Sequence, residues 1–152
     1  MQIGFARMVV AIQIDIARCG RDMGAKASAN EPRIERVYVP WIGPSMNTIW
    51  AGVSWHKRKQ IADAGHKACW PLKLIKPFSN PVKLAFQPVV KGRRYDCCNY
   101  ALTNKVIVDG MVRCGLLKDD TNKYVLGVET LVPEKGNQSG VWITITEILS
   151  ND

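Results

Sequence analysis

The chain has 152 residues, 47% hydrophobic and 22% charged, the balance of one ordinary folded domain and not of a disordered or fibrous chain. A net charge of +8 favours a polyanionic partner, nucleic acid or an acidic membrane surface, although many basic proteins bind neither. Cys19, Cys69, Cys97, Cys98 and Cys114 form no C-x-x-C pair, and the apolar run Met8 to Ile14 is too short to cross a bilayer and lacks a signal-peptide cleavage site, so a reduced cytoplasmic protein without a membrane anchor is expected.

In chain order, Phe5, Val9, Ile12 and Ile16 recur at helical spacing, and Gly20, Gly24, Ala27, Ser28 and Asn30 follow as a loose stretch. Residues 1–35 therefore read as an accessory helix and linker, or as a start assigned upstream of the natural one. Arg36 to Pro40 reads as a strand, and Gly43, Pro44, Ser45 and Asn47 as a loop. Trp55 to Cys69 is expected to be a helix, the most basic element, with Ile61, Ala64 and Ala68 toward the core. Val82 to Val90 alternates as a strand, and Pro88 predicts an edge position or a strand end. Asn99 to Cys114 reads as a second helix stopped by Gly115. Tyr124 to Val132 and Val141 to Leu149 are expected to close the chain as a hairpin. The order predicts a single α/β (α+β) domain, a mixed sheet of about four strands packed with two main helices, in residues 36–152.

Potential catalytic groups are densest from Arg93 to Asp120: Asp96, Asp109, Asp119 and Asp120 around Lys105. Phosphodiester hydrolysis uses hard cations held by carboxylate oxygens, with a nearby lysine neutralising phosphate charge, and these are the residue types it needs. Composition alone also allows Asp96 to be a helix cap and Asp119 with Asp120 to be a solvated turn. Lys105, Asp109 and Arg113, spaced i, i+4, i+8, also fit an ordinary surface ladder.

Order and spacing add more. Asp96, Asn99, Lys105, Asp109 with Gly110, Gly115, then Asp119 with Asp120, preceded by V-Y-V-P-W-I-G-P-S-M-N from Val37 to Asn47, resemble the RusA family of Holliday-junction resolvases over roughly residues 36–149. The resemblance implies a bacterial or phage-encoded homodimer that binds four-way DNA junctions and resolves them by paired nicks, dependent on Mg2+ or Mn2+. It implies that Asp96, Asp119 and Asp120 hold metal and that Lys105 is the catalytic lysine. The sequence departs from the family pattern at Cys98, where a second acidic residue is expected and a thiol is a poor magnesium ligand. The spacing from Asn99 to Lys105 is also two residues longer.

Along one straight helix from Asn99 to Cys114, Asp96 and Asp120 would lie roughly 24 Å apart. The helix is therefore expected either to be shorter, with loops folding back, or to share its site across a dimer axis. For DNA contact, Lys57, Arg58 and Lys59 read as phosphate ligands or a solvated face. Arg93 and Arg94 beside Asp96 read as phosphate ligands, and Asn47 follows from the resemblance. Trp50 and Trp55 are candidates for stacking at a junction, with core packing expected for at least one. His56 and His66 lie far in sequence from the cysteines, against a cysteine hydrolase, and no Gly-rich nucleotide loop is present.

Overall fold

Alternating β-branched and aromatic residues build the sheet. In Ile34–Val39 (β1), Val82–Val90 (β2) and Gly140–Glu147 (β5), every second residue turns inward, so Val37, Val39, Val82, Leu84, Phe86, Val141, Ile143 and Ile145 are all buried. Val125–Thr130 (β3) and the short Glu134–Lys135 (β4) complete a mixed five-stranded sheet ordered β1-β5-β2-β3, with β4 also on β2. The computed structural model describes residues 31–149, and the expected N-terminal helix and the loop from Gly20 to Asn30 lie outside the described residues. Among the described residues three α-helices accompany the sheet: Met46–Trp50 (α1), Trp55–Cys69 (α2) and Ala101–Arg113 (α3). The α+β single domain expected from the sequence is what forms. No helix among the described residues is long and apolar enough to cross a membrane.

The last two strands do not make the expected hairpin. β3 and β4 both run parallel to β2, so the chain continues along one edge of β2 before turning back. β5 then runs antiparallel between β2 and β1. β2 is consequently internal, against the expectation from Pro88. The proline is tolerated because Phe86 O accepts from Leu131 N at 2.8 Å and Val90 O from Gly136 N at 3.1 Å. The position between them faces the break between β3 and β4, where no ladder bond is lost.

α2 and α3 pack together and lay Cys69, Ile107, Val108 and Met111 on the inward sheet face. Two glycines set their closeness. A Cβ on Gly65 would stand 2.4 Å from Val106 Cγ1, and one on Gly110 would stand 2.7 Å from Cys69 Sγ. The inward stripe of α2 therefore runs through Gly65 and Cys69, while Ala64, expected toward the core, is exposed.

Candidate active site

The β2–α3–β3 crossover builds the site. After β2 the chain forms a 3-10 turn, Cys97–Tyr100, anchored by the buried Tyr100, whose hydroxyl accepts from Tyr95 N at 3.3 Å. Asp96 precedes this turn with its side chain making no capping bond, so the capping alternative is not realised. α3 has 13 residues and begins two later than expected. It ends in a Schellman motif in which Gly115 N donates to Val112 O at 3.0 Å and Leu116 N to Met111 O at 2.9 Å. Gly115, at φ +80, supplies the left-handed conformation this reversal needs.

Leu116 and Leu117 are then buried, and Leu116 O accepts from Phe78 N at 3.0 Å, which pins the returning chain. The loop climbs back along α3 until Asp120 meets Lys105. Lys105 Nζ lies 2.6 Å from Asp120 Oδ2 and 2.8 Å from Asp109 Oδ1. The helix is shorter than expected and its loop folds back, which brings Asp120 to Lys105, while Asp96 lines a neighbouring hollow and does not join Asp120 within the chain. The Lys105–Asp109 rung of the helical ladder forms, and no ion pair to Arg113 forms among the described residues.

The charges are mutually sustaining. Hydrogen bonds from Lys105 to Asp109 and to Asp120 push its pKa up to about 12, and the bond and charge of Lys105 hold the Asp120 carboxyl below its usual range. Lys105 is thus a fixed cation near neutral pH and not a base. Its side chain is 60% exposed, a setting in which ion pairs stabilise a fold by only about 0–1 kcal/mol. The cluster contributes little to holding the protein together.

Between α3 and the edge strand β3 runs a groove of about 590 Å³, lined by Asn104, Lys105, Val108, Asp120, Val128 and Thr130, with Cys97 and Cys98 at its end. Asn104 is buried, its Nδ2 donates to Thr130 Oγ1 at 2.7 Å, and its Oδ1 has no partner. Asn104 lines the same groove as Lys105 and Asp120, and its acceptor without a partner can take an additional polar group.

The other expected residues lie around this centre. Asp119 turns back on its own loop, accepting from Asp120 N at 2.8 Å and from Thr121 Oγ1 at 3.5 Å. Asp96 lines an adjoining hollow with Arg94, Tyr95, Cys97 and Pro133, and Cys97 borders both spaces. Arg94 Nη1 donates to Pro133 O at 3.4 Å, and Arg93 is exposed. The loop expected through Asn47 ends at Ser45, because Met46 and Asn47 open α1, and it docks on α3 through Gly43 N, which donates at 3.1 Å to the buried Thr103 Oγ1, one residue from Asn104. Ser45 caps α1, and Asn47 is exposed on that helix. Lys57, Arg58 and Lys59 are exposed on the first turn of α2 and the start of its second.

Sequence reasoning passed over Asn104, hidden beside the conspicuous Lys105, and it treated Asp109 as part of a ladder and not as a second anchor for Lys105. The available signal was the i, i+4 spacing of Lys105 and Asp109. Among the described residues, no three His, Cys, Asp or Glu side chains converge as a closed metal cage, so Asp96, Asp119 and Asp120 are not gathered into one cluster within the chain. The donors of the groove fit an open-shelled hard cation instead. Asp120 and the amide oxygen of Asn104 are hard oxygens, and magnesium commonly takes one or two protein oxygens and keeps water and phosphate as its other ligands. No family model matches this chain, and no curated protein matches it.

Proposed function

We propose that the protein is a Mg2+-dependent endonuclease that hydrolyses phosphodiesters of four-way DNA junctions and acts as a homodimer. The observation that carries the reading is the bond between Lys105 and Asp120, which sets a permanent cation and an ionised carboxylate side by side at the mouth of an open groove. Hydrolysis of a phosphodiester concentrates negative charge on the phosphate oxygens, and a cation already in place stabilises that charge without reorganisation.

In this reading Lys105 donates to a non-bridging oxygen of the scissile phosphate, and Asp109 keeps the ammonium oriented while Asp120 turns to its other task. Asp120, with the oxygen of Asn104, would hold the divalent ion. That ion, when bound, supplies Lewis-acid charge and lowers the pKa of water. Arg94 lines the hollow that adjoins the groove and would guide the strand, Asp96 beside it would offer a further carboxylate to an ion at this end, and the +8 net charge supports a polyanionic substrate. Paired nicking requires two such grooves, which a homodimer supplies.

The test is incubation of the full chain with a labelled synthetic four-way junction and with linear duplex, with and without Mg2+, beside Asp120→Asn. Symmetric nicks in the junction that require both the metal and Asp120 are the expected result. Cys98, exposed where the family pattern has an acid, gives a specific second reading, a junction-binding protein that does not cut. Tight junction binding without nicks would select that second reading, and absence of both would remove DNA as the substrate.

A further inference from the structure

Trp55 opens α2 with 68% of its surface exposed, an unusual position for an indole. It borders a hollow of about 550 Å³ on the outer side of the α2–α3 contact, lined also by Arg58, Lys59, His66 and Arg113, with Asp63 the acid among its lining residues. Lys59 Nζ sits 5.6 Å from the Trp55 ring centroid. Both ring nitrogens of His66 are buried without a partner. Burial first, and the charge of Arg113 second, lower its pKa, so the imidazole is a flat neutral surface at pH 7. None of these residues belongs to the Lys105–Asp120 groove.

The chemistry is an aromatic face and an uncharged ring bordered by three cations. A simple anion would use the cations and leave the indole idle. A double helix would offer phosphates but no free base. A nucleotide whose base is out of the stack uses both, because base–indole stacking is indifferent to sequence and the guanidinium groups reach the adjoining phosphate. We propose that this hollow binds an unpaired nucleotide of a DNA strand, its base on Trp55 and its phosphate on Arg58 and Arg113.

The choice of DNA rests on the endonuclease reading. Arg113 lies eight residues beyond Lys105 on α3, a rise of roughly 12 Å. That corresponds to roughly three to four stacked nucleotides of one strand. A branch point held at Trp55 would thus set the distance to the phosphate at Lys105, which is a way of choosing a junction over linear duplex.

The experiment uses the full chain carrying Asp120→Asn, so that DNA remains uncut, titrated by anisotropy with fluorescein-labelled oligo-dT, a four-way junction and a perfect duplex. Trp55→Ala is expected to weaken oligo-dT and junction binding about tenfold and to leave duplex binding unchanged. Trp55→Phe is expected to recover most of that loss. Arg113→Ala is expected to weaken the same two ligands. Unchanged oligo-dT affinity in a folded Trp55→Ala protein overturns the proposal, as do equal losses on all three ligands or competition by polyglutamate as effective as that by oligo-dT. The two readings separate cleanly. Trp55-dependent binding by a protein whose unsubstituted form never nicks DNA sustains the hollow and removes the nuclease. Nicking that survives with Trp55→Ala binding intact does the reverse.

Discussion

Lys105 Nζ donates to Asp120 Oδ2 across 2.6 Å although the two residues are 15 positions apart, and the same ammonium reaches Asp109 at 2.8 Å. The arrangement depends on a Schellman reversal at Gly115 and on the buried Leu116 and Leu117, which commit the loop to climbing back along α3. The ion pair itself is exposed, so the ordering of the loop rests on the burial of Leu116 and Leu117 and not on the pair.

Lys105→Gln should therefore separate activity from stability. Loss of one charged donor to a phosphate transition state costs roughly 100- to 1000-fold in rate. Junction nicking should fall by that factor. Thermal unfolding should shift by no more than about 1 kcal/mol, because the side chain is exposed. A nicking rate within about threefold of the parent would remove Lys105 from the chemistry.

The pH behaviour follows from the same bond. The pKa of Lys105 is raised from 10.5 to about 12, so its contribution to stability is fully present below 10.5 and is lost as pH rises through 12. The pKa of Asp120 is lowered from 3.8, so its contribution is present above 3.8 and is lost as pH falls through the depressed value. Between pH 5 and about 9 both charges stay fixed. The small difference in melting temperature between the parent and Lys105→Gln should be flat over that window and shrink in strong acid. Any inflection of the nicking rate near neutrality would then belong to another group, and it should persist in Lys105→Arg.

Much of the frame was legible in the chain. Strand alternation in β2 and β5, the length of α2 and the stop at Gly115 follow from period and punctuation, which are local. Strand order was not, because β5 inserts between β1 and β2 through contacts distant in sequence, and a Pro133-containing connection looks the same whether it closes a hairpin or carries the chain past β2. The site divides in the same way. Lys105 and Asp120 stood out by type, but their meeting depends on how a loop returns. Asn104 has no local signature, since its role comes from burial against Thr130. Trp55 was ambiguous between core and surface, because its exposure depends on which face of α2 packs on α3.

Gly110, in the Asp-Gly pair, should resist the substitution that usually strengthens a helix. Gly→Ala in a helix interior ordinarily gains about 0.5–1 kcal/mol. Here the added Cβ would stand 2.7 Å from Cys69 Sγ and 2.9 Å from Cys69 Cβ, so α2 and α3 must separate. Overpacking of this kind costs about 1–3 kcal/mol, and Gly110→Ala should lose stability in urea by that amount. A gain in stability would mean that the helices are not held at this distance in solution.

Cys98 offers the last test, because it lines the groove with an exposed thiol where the resemblance expects a carboxylate. A thiol adds nothing to a hard cation, so under the proposed function the ion would be left to Asp120 and the oxygen of Asn104. Cys98→Asp adds a hard ligand at a solvated position, where the cost in stability is within about 0.5 kcal/mol. The concentration of Mg2+ that half-saturates nicking should fall by about tenfold or more, with melting unchanged. Cleavage gained by Cys98→Asp in a protein that otherwise only binds junctions would identify position 98 as the point at which activity was lost. An unchanged Mg2+ dependence would place the ion away from this end of the groove, nearer Asp120 alone.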